Sequence, residues 1–206
     1  MKGALWAYVV RLGLAWASCT FIAHYSAGAL VSTVAPAISL VSEFIQPDIA
    51  INLSVSPDDG TVDIRTFLLR PIRLSNTVSL RGHSKLPKTS VDSNHIVVPV
   101  VIILTILLGL PSKSWFRKAL WIAKGVVASL GLMILNAGVL VSGKIDILIL
   151  EAYERAGLDK DQSSLIWTVI LLETGISSAL AIAVALLIYR LSKEASTLQL
   201  PRPVAL

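Results

Sequence analysis

The chain has 206 residues, 54% hydrophobic and only 15% charged, with a net charge of +5 and a mean hydropathy of +0.74. Soluble domains carry about 25% charged residues, so this composition excludes an ordinary water-soluble fold and makes lipid the expected solvent for much of the chain. The single cysteine, Cys19, excludes an intrachain disulfide and CxxC redox chemistry.

The expected fold class is an α-helical integral membrane protein with four transmembrane helices and a small extracytoplasmic antiparallel β module between helices 1 and 2. At the N-terminus, Lys2 before an apolar run imitates a signal peptide, and "LAWASC" imitates a lipoprotein cleavage box. Arg11 interrupts the apolar core, and Trp16 stands where that box wants a small aliphatic residue. An uncleaved first transmembrane helix is therefore expected over about 12–33, within a unit covering 1–46. It can continue past Pro36 as an interfacial helix, because Ser39, Ser42, Glu43 and Gln46 make a polar stripe at helical spacing.

Residues 47–94 change period. In "IAINLSVS" the residues Ile49, Ile51, Leu53 and Val55 alternate onto one face. "PDDG" at 57–60 is a hairpin turn, and "TVDIR" returns with Val62 and Ile64 inward. Ile72, Leu74, Val78 and Leu80 keep the same parity around Ser75 and Asn76. The reading is an antiparallel sheet of three or four strands, then a looser stretch near Pro87. So small a module buries little surface by itself, and its apolar face is expected to lean on the membrane, another loop or a partner chain.

Three further spans are expected within 95–190, over about 95–110, 119–142 and 165–189. Gly109, Pro111 and Ser112 mark a tight hairpin between the second and third. Between the third and fourth, "DILILEAYERAG" places Ile145, Leu148, Ile149, Ala152 and Ala156 on one face, which reads as a short interfacial helix near 145–157 ending at Gly157. Residues 191–206 are a tail. Arg11, Lys113, Arg117, Lys118 and Arg190 cluster at span ends as membrane-interface basic residues. By the positive-inside rule they put both termini in the cytoplasm and the first loop outside, in a multi-pass protein of the cell membrane. Charge of this kind orients helices, and no nucleic-acid partner is expected.

Among the polar residues inside the spans, four stand out: Glu173 and Ser177 on the fourth, Asn136 on the third and His24 on the first. A charge near mid-bilayer costs about 2.5–3.5 kcal/mol, so Glu173 should face protein. Ser177, Ala181 and Ala185 follow it at steps of four, with Gly175, Ala179 and Ala183 as an adjacent small ridge. The plain reading makes Glu173 a buried, protonated hydrogen-bond donor that fixes helix register. The sharper one is a relay from Glu173 to His24 or Asn136, and contact with another subunit is the third. Lys124 is expected to snorkel to the cytoplasmic side. His83 and His95 have no ligand-spaced neighbours, the tryptophans read as interfacial anchors, and no catalytic, metal or cofactor site is assigned.

The order of parts resembles the exosortase-associated integral membrane protein family of bacteria. The resemblance lies in "RLGLAWASCTFIAHYSAGALVSTVAPAI", the strand pair "INLSVSPDDGTVDIRTFL", the proline-bearing "HIVVPVVIILTILLGLPS" and "EAYERAGL" before the last span. It covers most of the chain as layout and residue character, and departs at the second span, where the family has a more aromatic approach to the proline. It implies an accessory role beside a membrane peptidase that sorts exported proteins, and carries over no catalytic residues.

The resulting expectation is a non-enzymatic accessory or structural subunit of a bacterial envelope membrane complex, linked to protein sorting or export, with the lipid bilayer and other membrane subunits or further copies of itself as partners. The alternative is a small oligomeric proton-coupled transporter or relay protein using Glu173 and His24. A membrane enzyme would need His83, His95 or Asp63 to converge with a nucleophile.

Overall fold

The computed structural model describes residues 2–56, 60–73, 79–82, 84–112, 114–159 and 161–197, with side chains described only between 5 and 192. The expected turn at 57–59, the strand positions Leu74 and Val78, and His83 and Lys113 lie outside these residues.

In chain order the elements are α1 (Lys2–Ile45), β1 (Ile49–Val55), β2 (Thr61–Leu68), β3 (Ile72–Arg73), β4 (Ser79–Leu80), β5 (Thr89–Asp92), α2 (Ser93–Gly109), α3 (Trp115–Arg155), α4 (Ser164–Leu171), a kinked segment (Leu172–Ile176) and α5 (Ser177–Thr197). Among the described residues, three helical stretches are long and apolar enough to cross a membrane: Leu5–Ile45, Trp115–Arg155 and Ser164–Ser192. The remaining expected span, α2, second in chain order, is apolar but has 17 residues, about 26 Å of helix.

Helix α1 continues past Pro36 as expected, a single helix of 44 residues. One expected boundary dissolves. The interfacial helix near 145–157 is the end of α3, a single helix of 41 residues. Each measures more than 60 Å, about twice the hydrocarbon thickness of a bilayer. Gly143 sits in mid-helix, where a Cβ would run into Val169 of α4. The stop expected at Gly157 is real. Gly157 has φ 69°, its N–H donates to Glu154 O and Leu158 N–H donates to Tyr153 O, the paired bonds of a Schellman cap.

The sheet is three-stranded and antiparallel in the order β1-β2-β5, and β3 and β4 form a separate two-stranded ribbon. The hairpin register pairs Ile49 with Leu68 and Val55 with Val62, which stacks the expected inward residues on one face. β5 lies in the stretch read as loose, and pairs Val91 with Val62. The apolar face does not await a partner. Ile49, Ile51, Val62, Ile64, Leu68 and Val91 share one buried core with Val31 and Ile38 of α1, Ile96 and Val97 of α2, and Met133, Val141, Ile145 and Ile149 of α3. The C-terminal halves of the two longest helices supply the surface that so small a sheet lacks. A second cluster joins Ile103 and Leu107 of α2 to Ala181 and Ala185 of α5.

Contacts also fix which helix ends lie together. A Cβ on Gly109 would meet Leu12 at 2.7 Å, and Lys118 Nζ donates to Leu108 O at 2.6 Å and Leu110 O at 3.1 Å. The Trp121 ring lies edge-on to Tyr189 at 5.2 Å. Arg11, Arg117, Lys118 and Arg190 therefore share one end of the bundle, and the sheet occupies the other, where Tyr153 Oη donates to Arg73 O. Lys118 does more than mark an interface: it caps the C-terminal carbonyls of α2, which have no partner within their own helix.

Candidate functional site

The fourth helix breaks where its carboxylate sits. Helix α4 ends at Leu171, the chain kinks over Leu172–Ile176, where Gly175 has a non-helical φ of 122°, and α5 begins at Ser177. Glu173 stands within this segment. Its side chain is 44% exposed and its Oε1 lies 3.2 Å from Nζ of Lys144, itself 29% exposed. This corrects the expectation of a buried donor. Glu173 is partly exposed and lies within ion-pair distance of a lysine on α3, just past the end of the expected third span.

Asn136 Nδ2 donates to Ser177 Oγ at 2.8 Å, so two of the four expected polar residues do meet. Glu173, Asn136 and Ser177 line one small cavity of about 40 Å³ with His95, Ile96 and Leu172, room for a few waters at most. His24 borders two other cavities, beside Asn94 of α2. The structure thus brings Glu173 and Asn136 together and keeps His24 apart. The histidine that joins them is His95, which sequence reasoning set aside.

Both groups lie level with the first turn of α2, Glu173 and Asn136 beside His95, and His24 beside Asn94. Of the small ridges, Ala181 and Ala185 are fully buried, whereas Gly175, Ala179 and Ala183 face outward. Trp121 is buried against Tyr189 and is no interfacial anchor, while Lys124 is exposed.

A second polar seam escaped notice. The stripe expected to meet headgroups faces protein instead. Ser42 is fully buried and its Oγ lies 3.1 Å from Gly138 O as donor. Gln46 Nε2 donates to Ser142 O at 3.1 Å and to Asp146 Oδ1 at 2.9 Å, and Glu43 Oε1 accepts from Ile51 N–H at the outer edge of β1. Ser163, the N-cap of α4, donates to the other oxygen of Asp146. One carboxylate thereby ties α1, α3 and α4 together. On the opposite side of the same stretch of α1, Leu40 is 67% and Phe44 89% exposed. This arrangement, polar inward and apolar outward, inverts that of a water-soluble helix.

On the outer face of the sheet, Asn52, Arg65, Phe67, Lys85 and Lys88 border a groove of about 350 Å³. Lys85 lies over the Phe67 ring at 5.4 Å, a cation–π distance, and Lys88 pairs with Asp63 at 2.8 Å. Asp63 is thus committed to an ion pair. Among the described residues, no group of three or more His, Cys, Asp or Glu is placed to hold a metal ion.

Compared with protein-family models, with curated proteins and with solved structures, the chain matches none.

Proposed function

We propose that the chain is a four-span integral membrane protein and serves as a non-enzymatic accessory subunit of a bacterial envelope membrane complex. The observation that carries this reading is the mounting of the sheet. Its apolar face is taken up by α1 and α3, so a rigid platform presents only its hydrophilic outer face. Between Ile64 and Val91 that module holds six Lys and Arg and neither Asp nor Glu. Such a face suits an anionic surface on a neighbouring subunit, through complementarity that steers and orients association. The outward apolar residues of α1 and of the α4–α5 helix, Phe21, Ile22, Trp167, Ile170, Leu180 and Leu187 among them, support hydrocarbon as the surrounding medium. Helix α2 supplies the fourth span, and its shortness suits a locally thin bilayer or a short crossing between capped ends.

The basic end of the bundle, with Arg11, Arg117, Lys118 and Arg190, is assigned to the cytoplasm and the sheet to the opposite side. The link to protein sorting or export rests on the resemblance of layout. The relay alternative through Glu173 and His24 gains no support from geometry, because the two border different cavities.

The test has two parts. In a Cys19→Ser background, Asp58→Cys and Ser114→Cys should label from opposite sides of the membrane, and labelling from one side overturns the topology. Purification in mild detergent should bring down other membrane chains, and Arg65→Glu with Lys85→Glu should release them. A solitary, monodisperse monomer overturns the accessory reading.

A further inference from the structure

Two open cavities meet along the α1–α2 seam. The upper one, about 590 Å³, is lined by His24, Tyr25, Ser32, Ser56, Ser93 and Asn94, together with backbone at Gly28 and Gly60. The lower one, about 500 Å³, is lined by Trp16, Ala23, Val97, Val98, Val101 and Ile102, with Thr20 as well. They share His24 and Asn94, so they form one cleft whose wall turns from polar to apolar along its length. Each half falls within the roughly 300–1,000 Å³ of small-molecule sites.

The cleft is held open by specific packing. Ser93 N–H and Oγ both bond Gly60 O, which pins the hairpin end to the start of α2. Asp92 accepts from Asn94 N–H at 2.8 Å and Asn94 Nδ2 at 3.0 Å, which fixes that amide and leaves its oxygen toward other donors. Val55 of β1 packs against α1 at Gly28, where a Cβ would stand 3.4 Å away in ordinary contact. Among the described residues no carboxylate lines either half, and the polar wall carries hydroxyls, an amide and an imidazole.

We propose that this cleft binds one membrane phospholipid per chain, with the headgroup and ester region among His24, Tyr25, Ser56 and Asn94 and one acyl chain along Trp16, Val98 and Val101. The inference rests on the membrane reading above, which puts the apolar half at hydrocarbon depth and the polar half at the outer interface. A wall polar at one end and apolar at the other matches an amphiphile. A purely apolar occupant would strand the Tyr25 hydroxyl, the His24 imidazole and the Asn94 amide oxygen, and burying such groups without a partner is costly.

The experiment is native mass spectrometry of the full chain in mild detergent, titrated with dioleoyl phosphatidylethanolamine. The wild type should hold one lipid at saturation. Val98→Trp fills the lower half and should lower occupancy at least about tenfold, and Asn94→Leu, which removes a hydrogen-bonding group, by about fivefold. Val127→Trp, on an exposed part of α3 that borders neither cavity, should leave binding unchanged. Non-saturating uptake, or equal occupancy in Val98→Trp and Val127→Trp, overturns the site. A helix of a co-purifying chain crosslinking to position 98 in place of lipid also overturns it. Carbonate extraction of the wild type separates the two readings: release from the membrane defeats the four-span reading, whereas retention with non-saturating uptake defeats the lipid site alone.

Discussion

Helix α3 carries two polar seams, and they are built differently. Against α1, Gly138, Ser142 and Asp146 meet Ser42 and Gln46 with buried hydrogen bonds, and a Cβ on Gly138 would collide with Val41. Against α4 and α5, Asn136 and Lys144 meet Ser177 and Glu173 in a partly exposed groove, where the partner helix is broken at Gly175. The first seam is close because small residues let backbones approach. The second also has a close glycine contact, since a Cβ on Gly143 would collide with Val169, yet its polar groups stay partly exposed beside an irregular backbone. The comparison teaches that close approach alone does not bury a polar seam, and that the buried one lies between unbroken helices.

The sharpest way to break the contrast is at its tightest point. Gly138→Val should destabilise the folded protein by about 3 kcal/mol or more through overpacking against Val41, read as the largest fall in thermal midpoint in detergent. Next, Asp146→Ala leaves Gln46 and Ser163 without their shared acceptor, and should cost about 2 kcal/mol in the same assay, with Asp146→Asn recovering part of the loss.

The second seam should yield less. Gly175→Ala has open space around its Cβ, so only the strain of a positive φ remains, about 1–2 kcal/mol. Gly138→Val and Gly175→Ala equal in effect would abolish the distinction between the seams. Smallest is Glu173→Gln. With the pair well exposed, its contribution is at most about 1 kcal/mol, and complex formation should be retained. Loss of activity in a folded, inserted Glu173→Gln protein would instead make this seam the working part of the molecule.

Much of the architecture was legible in the residues. Period-two alternation from Ile49 to Val55 and from Val62 to Ile64 placed the hairpin and its inward face, since a strand reads its environment every second residue. Gly157 marked a helix stop because its left-handed φ is open to glycine at little cost. Gly143 shows the limit. The same residue type reads locally as a stop, and only the close approach of Val169 makes it a mid-helix contact. β5 was hidden because its four residues are too few to display a period.

The candidate sites divide in the same way. Glu173, Asn136 and Ser177 stood out because charge and amides are scarce in apolar runs, and scarcity is visible in one dimension. Asp146 and Gln46 did not, because they lie where a polar residue needs no special explanation. His95 and Lys144 were read as loop or surface groups until folding brought each to the Glu173 cavity or its rim.

By itself, then, the order of residues determined the apolar helical windows, the strand faces and which residues would resist burial. Those follow from transfer free energy and from the two backbone periods, both local properties. Tertiary structure alone decided that α1 and α3 outrun their spans to carry the sheet, and that Glu173 pairs with Lys144 and not with His24. Partner choice depends on distances between segments far apart in the chain, and no local pattern encodes those distances.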